Sequence, residues 1–231
     1  MLRNTSVWRS ALLVASIEFM LNSGIVRGAG PYSENWDVGD TNGWMQSTTS
    51  STVIRDNTEG NPVSSLAVRR ILSQPIFDIG VTTDLAAVSG DYTGVPTWML
   101  SFDAKYDVGN YSDTWLRFRY QDSTFEGWHL DVADVFPNSW ESYSIMFNPG
   151  WTSVQAAANG WQDETGGTVS WQQLMSNVFH PEVRFLLSDE GSAIAHVDNI
   201  ALKAIPEPTV FSLAAIAGLT CIVIARHRVC I

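Results

Sequence analysis

The chain is poor in cysteine. Of its 231 residues only Cys221 and Cys230 carry thiols, both near the C-terminus. That excludes a disulfide framework or a cysteine zinc site in the body. Cations are also few: 13 Lys and Arg stand against 24 Asp and Glu, a formal charge of −11. No block of basic residues exists, so the electrostatic footprint of a nucleic-acid binder is missing. Charged residues make up 16% of the chain, below the roughly 25% usual in soluble proteins. Catalytic signatures are missing as well. There is no Gly-x-Ser-x-Gly elbow, no His-Glu-x-x-His and no phosphate-cradling glycine loop. The four histidines, His129, His180, His196 and His227, are scattered.

What is abundant is apolar and aromatic. Ten Trp, ten Phe and six Tyr contribute to an apolar fraction of 45%. A chain so rich in core-forming side chains folds rather than staying disordered.

The two ends differ from the middle. Arg3 and Arg9 precede an apolar stretch, Ser10–Leu21, and a small-residue segment, Gly24–Gly30. Residues 1–30 therefore read as a secretory signal peptide, with Glu18 an unusual charge inside it. At the other end Pro206-Glu207-Pro208 leads into Thr209–Ala225, 17 residues without a charge, followed by Arg226, His227 and Arg228. Seventeen apolar residues reach the lower limit for a membrane-spanning helix. The closing arginines keep that end cytoplasmic and put the body outside. The order of Pro-Glu-Pro, apolar helix and basic tip, with Arg226 and Arg228, resembles the PEP-CTERM sorting signal of Gram-negative bacteria. The resemblance implies a substrate of an exosortase-type processing enzyme. Such a protein is held transiently in the inner membrane, then passed to the cell surface or extracellular matrix. A plain C-terminal membrane anchor is the simpler alternative. Residues 205–231 are assigned to this signal, and 31–204 to the body.

The body reads as one all-β domain. In Trp98–Tyr106 the residues Trp98, Leu100, Phe102, Ala104 and Tyr106 alternate with Ser101, Asp103 and Lys105. Leu116, Phe118 and Tyr120 alternate with Trp115, Arg117 and Arg119. Trp128, Leu130 and Val132 alternate with His129 and Asp131. The segments 141–147 and 183–188 repeat the pattern. A period of two marks strands buried on one face. Turn residues such as Gly109-Asn110 and Asn148-Pro149-Gly150 separate them. Many short strands predict a jelly-roll β-sandwich. One short helix breaks the pattern: Ser170 and Gln173 form a capping box ahead of Trp171, Leu174, Met175 and Val178. Ala156–Gly160 reads as a loop or helical turn.

The first and last strands add a second resemblance. Trp36-Asp37-Val38-Gly39 through Gly43-Trp44 is similar to the opening of carbohydrate-binding-module-like jelly rolls. His196-Val197-Asp198-Asn199-Ile200 is similar to their closing strand. The middle, with Leu100–Asp103 and the 171–178 helix, also resembles laminin-B-like jelly rolls. The resemblance implies that Asp37 and Asp198 approach each other where the first and last strands meet, with a structural Ca2+ between them. Two carboxylates so placed repel unless a cation or proton intervenes. Ordinary turn acids bonded to backbone amides are the plain alternative.

Ligand sites combine apolar surface with a few polar anchors. Trp115, Arg117 and Arg119, together with His129 and Asp131 on a neighbouring strand, form the candidate carbohydrate-binding face. Packing under loops, or cross-strand pairing of the arginines with carboxylates, is the competing account. Between 31 and 204 eight cations face 22 carboxylates. The expected function is an exported, non-catalytic surface or matrix protein that associates with extracellular polysaccharide. A structural or adhesive protein recognising another protein is the alternative, and a glycan hydrolase a further one.

Overall fold

The computed structural model describes residues 28–71, 77–120, 127–133 and 138–206. The expected signal peptide up to residue 27 and the tail from Glu207 onward lie outside the described residues. Twelve strands occur in them: β1 Tyr32–Glu34, β2 Trp44–Gln46, β3 Ser51–Asp56, β4 Ser65–Arg70, β5 Asp78–Thr83, β6 Trp98–Val108, β7 Tyr111–Tyr120, β8 Gly127–Ala133, β9 Glu141–Phe147, β10 Trp161–Asp163, β11 Val178–Leu187 and β12 Ile194–Ala204. Two helices, α1 Ser153–Ala158 and α2 Trp171–Ser176, flank β10.

The strands form two antiparallel sheets. The first runs β3-β4-β12-β6-β9, with β1 also paired to β12; the second runs β10-β8-β7-β11-β5-β2. This is the expected jelly-roll β-sandwich. Alternation built it: Leu100, Phe102 and Ala104 of β6 face Leu116, Phe118, Val183 and Phe185 of the other sheet across one core. Tryptophans dominate that core. Trp36, Trp98, Trp161 and Trp171 are fully buried, and their polar edges are satisfied where the indole N–H finds a carbonyl, as Trp98 does on Tyr92.

The helices close one end. α2 carries the expected capping box, Ser170 with Gln173, and buries Trp171, Leu174 and Met175. A second capping box, Thr152 with Gln155, makes α1 a helix where only a turn was expected. The signal, Thr-x-x-Gln ahead of a run of alanines, was present in the sequence. At the chain's entry, Ala29 and Gly30 donate backbone bonds to the carbonyls of Asp91 and Ala87. The packed chain thus starts slightly ahead of residue 31. At the other end Ile205 donates to the Thr97 carbonyl just before Pro206. No helix among the described residues is long and apolar enough to cross a membrane.

Candidate functional site

The outward face of the second sheet is built by register. One cross-strand row runs His129, Arg117, Glu182, Thr82; the next runs Asp131, Trp115, Arg184, Gly80. These side chains point outward because Leu116, Phe118, Val183 and Phe185 hold the inward positions. Gly80 ends its row without a side chain, and a Cβ there would lie 2.5 Å from the Val183 carbonyl oxygen.

A buried ion network holds the face. Glu182, only 1% exposed, accepts from Arg117 Nη1 at 3.2 Å and from Arg119 Nη1 at 3.1 Å. Arg117 Nε also donates to Glu164 Oε2 at 2.5 Å, and Glu164 Oε1 lies 2.9 Å from His129 Nδ1. Arg184 pairs with Asp78. Burial raises the Glu182 carboxyl above its ordinary value despite both arginines. Burial also pushes Glu164 upward, but its bonds to His129 and Arg117 outweigh that and hold it below the ordinary value. Burial lowers Arg184 to about 10.

On this frame lies Trp115. Its indole stacks on the His129 ring with centroids 3.9 Å apart and 16° between planes, and its Nε1 donates to Asp113 at 3.2 Å. The five residues expected to bind carbohydrate therefore do share one face. Only Trp115, half-buried, and Asp131, exposed, reach solvent; Arg117, Arg119 and His129 are buried beneath. The guanidiniums of Arg117 and Arg119 are committed to carboxylates, as the competing account of this face had it.

Of the expected metal residues, Asp198 lies in β12 of the first sheet and Asp37 in the exposed loop after β1. Asp198 is buried, and its two oxygens accept from the backbone amides of Asn199 and Asn61. Burial is the main cause raising its carboxyl to about 6, and the charges of Asp103 and Asp37 add to it. Asp103 is the cross-strand partner of Asp198. The opening loop holds a cation of its own: Arg55 donates to the carbonyls of Trp36, Asp37 and Gly39. Among the described residues no group of three or more His, Cys, Asp or Glu side chains is arranged to hold a metal ion.

The same sheet also carries a Ser-His-Asp series. Ser65 Oγ lies 3.1 Å from His196 Nδ1, and His196 Nε2 lies 2.8 Å from Asp107. Ser65 is 0% exposed and donates to the Glu59 carbonyl, so its oxygen reaches no substrate. The series locks the 57–64 loop to β12 and β6.

Several solved structures superpose on part of the chain. An exo-beta-agarase superposes with a TM-score of 0.53 at 12% identity, over 78% of this chain and 25% of that one. This chain thus spans about a quarter of that protein, and the likeness is one of fold. The CBM22-1 xylan-binding domain from Paenibacillus barcinonensis Xyn10C matches at 13% identity and a TM-score of 0.48, over 78% of this chain and 98% of that one. The family 11 carbohydrate-binding module of Clostridium thermocellum Lic26A-Cel5E matches at 16% and 0.46, over 79% and 99%. No family model matches the chain, and no curated protein matches it in sequence.

Glu182 and Glu164 were missed in the sequence reading. Glu182 alternates with Val183 and so belonged to the outward set, but its partners come from β7 and are named only by register. Glu164 follows a three-residue strand too short to show alternation.

Proposed function

We propose that this chain is an exported, non-catalytic protein that associates with extracellular polysaccharide through the outward face of its second sheet. One observation carries the reading: the Trp115 indole lies flat on His129, a plate suited to the C–H face of a sugar ring, with exposed Asp131 beside it as a polar anchor. The ion network favours a neutral glycan, because Arg117, Arg119 and Arg184 are already neutralised. The pair Glu164 and Glu182 has the split acidities of an acid–base couple. Yet Glu182 is sealed under two guanidiniums and cannot reach a glycosidic oxygen, which supports binding over hydrolysis. Affinity electrophoresis through gels containing xylan or mixed-linkage glucan tests the reading. Trp115→Ala should remove retardation while leaving the melting temperature within about 2 °C, as expected for a change of a few tenths of a kcal/mol. Equal retardation of both proteins, or release of reducing ends by the wild type, would refute it.

Structural calcium at Asp37 and Asp198 remains part of the proposal. Its support is the cross-strand pairing of Asp198 with Asp103 and the raised Asp198 carboxyl, to which the charges of Asp103 and Asp37 contribute.

A further inference from the structure

The face of the sandwich opposite Trp115 holds a cavity of about 420 Å³ at the junction of β1, β12 and β6. A fault in β12 makes it. Asp198 pairs with Asp103, but the next pair is Ala201 with Ser101, so β12 spends one more residue than β6 over that step. Asn199, at φ 51°, absorbs the extra residue. Such a bulge disrupts the ladder locally and re-aims side chains. Below it the floor is low, because register lines up Ser33, Ala201 and Ser101 across three strands. At about 4.8 Å between strands the trough is roughly 10 Å long.

The polar groups in the cavity fall into two sets. Glu34 is spent: its oxygens accept from the amides of Asn35 and Trp36 and from Asn42 Nδ2. Asn199 Nδ2 is spent on the Asn61 carbonyl and on Asp103. The side chains of Ser33, Ser101 and the exposed Lys203 make no hydrogen bond or ion pair among the described residues. Lys203 differs in this from the other described cations, each of which is bonded to a carboxylate or a carbonyl. The uncommitted groups are thus an ammonium and two hydroxyls able to donate, while the carboxylate is occupied. A ligand for this cavity offers hydrogen-bond acceptors, negative charge and an extended shape.

The geometry points to a second saccharide site, specific for a uronate-bearing glycan, with the sugar carboxylate on Lys203 and ring hydroxyls on Ser33 and Ser101. It is independent of the Trp115 face and of opposite charge preference. A chain with both would bridge a neutral and an acidic polysaccharide.

Titration calorimetry of the full chain with a linear oligogalacturonate tests it. Wild type should bind, with affinity falling as salt is raised. Lys203→Ala should weaken binding about tenfold, the loss expected for a charge-assisted bond. Ser101→Leu should abolish binding by filling the floor, with an unchanged melting temperature. Trp115→Ala should bind oligogalacturonate as wild type does. No binding by wild type, or full affinity in Lys203→Ala, overturns the site. Loss in Trp115→Ala with Lys203→Ala unaffected also overturns it, by moving the acidic glycan to the other face. Failure of neutral-glycan retardation alone removes the Trp115 site and leaves this one standing.

Discussion

Glu182 is the residue on which the outward face depends. It accepts from two buried arginines, Arg117 and Arg119, at once. Breaking a buried pair from one side is costly because the remaining charges stay buried. Glu182→Ala should therefore destabilise the fold by about 3–5 kcal/mol in urea unfolding; a loss under 1 kcal/mol would mean the arginines find other partners. Glu164 sets the acid limit of the same network. Its folded carboxyl titrates below the ordinary 4.5. Its contribution is thus complete above that value and lost as pH falls through the depressed one. Melting temperature should drop on acidification below pH 4.5, and Glu164→Gln should flatten that part of the profile while lowering stability at pH 7. A parallel profile in the variant would assign the acid limit to other carboxylates.

At the scale of elements, β12 does two jobs. Its first half sits between β4 and β6, its second between β1 and β6, and the bulge at Asn199 marks the change of neighbour. There Asp198 and Asp103 are cross-strand partners, and a cation held there with Asp37 would tie the first strand to the last. Binding only to the folded state stabilises by about 2.7 kcal/mol at a hundredfold excess over Kd. Calcium should raise the melting temperature at pH 7, chelator should lower it, and Asp37→Ala or Asp198→Ala should abolish the difference. Midpoints indifferent to calcium would leave Asp198 as a buried turn acid bonded to Asn61 and Asn199. α2 shows the other kind of element: six residues, too short to be stable alone, held by its cap and by Trp171 packed against Trp161 and Trp128.

At the scale of the molecule, the described chain is a body with bonded edges at Ala29 and Ile205, between two segments whose sequences read as processing signals. Intact mass of protein recovered from the culture medium should show a species lacking both apolar ends. A secreted species that keeps residues 209–231 would sink the sorting proposal. The excess of carboxylates in the body fits that proposal, since net charge keeps a protein soluble.

The strand character of β6, β7, β8, β9 and much of β11 was legible in the sequence, because a two-residue period is a local property and one buried face imposes it directly. The cap of α2 was legible for the same reason, and so was the shared outward face of Trp115, Arg117 and Arg119. Which of those three remains open to a ligand was not. That depended on Glu182 and Glu164, 65 and 47 residues from Arg117 along the chain, and register alone sets them against the arginines. The cavity beside Lys203 was equally hidden. A one-residue mismatch between β12 and β6 leaves no mark on either strand's own pattern, since it exists only in how the two are paired.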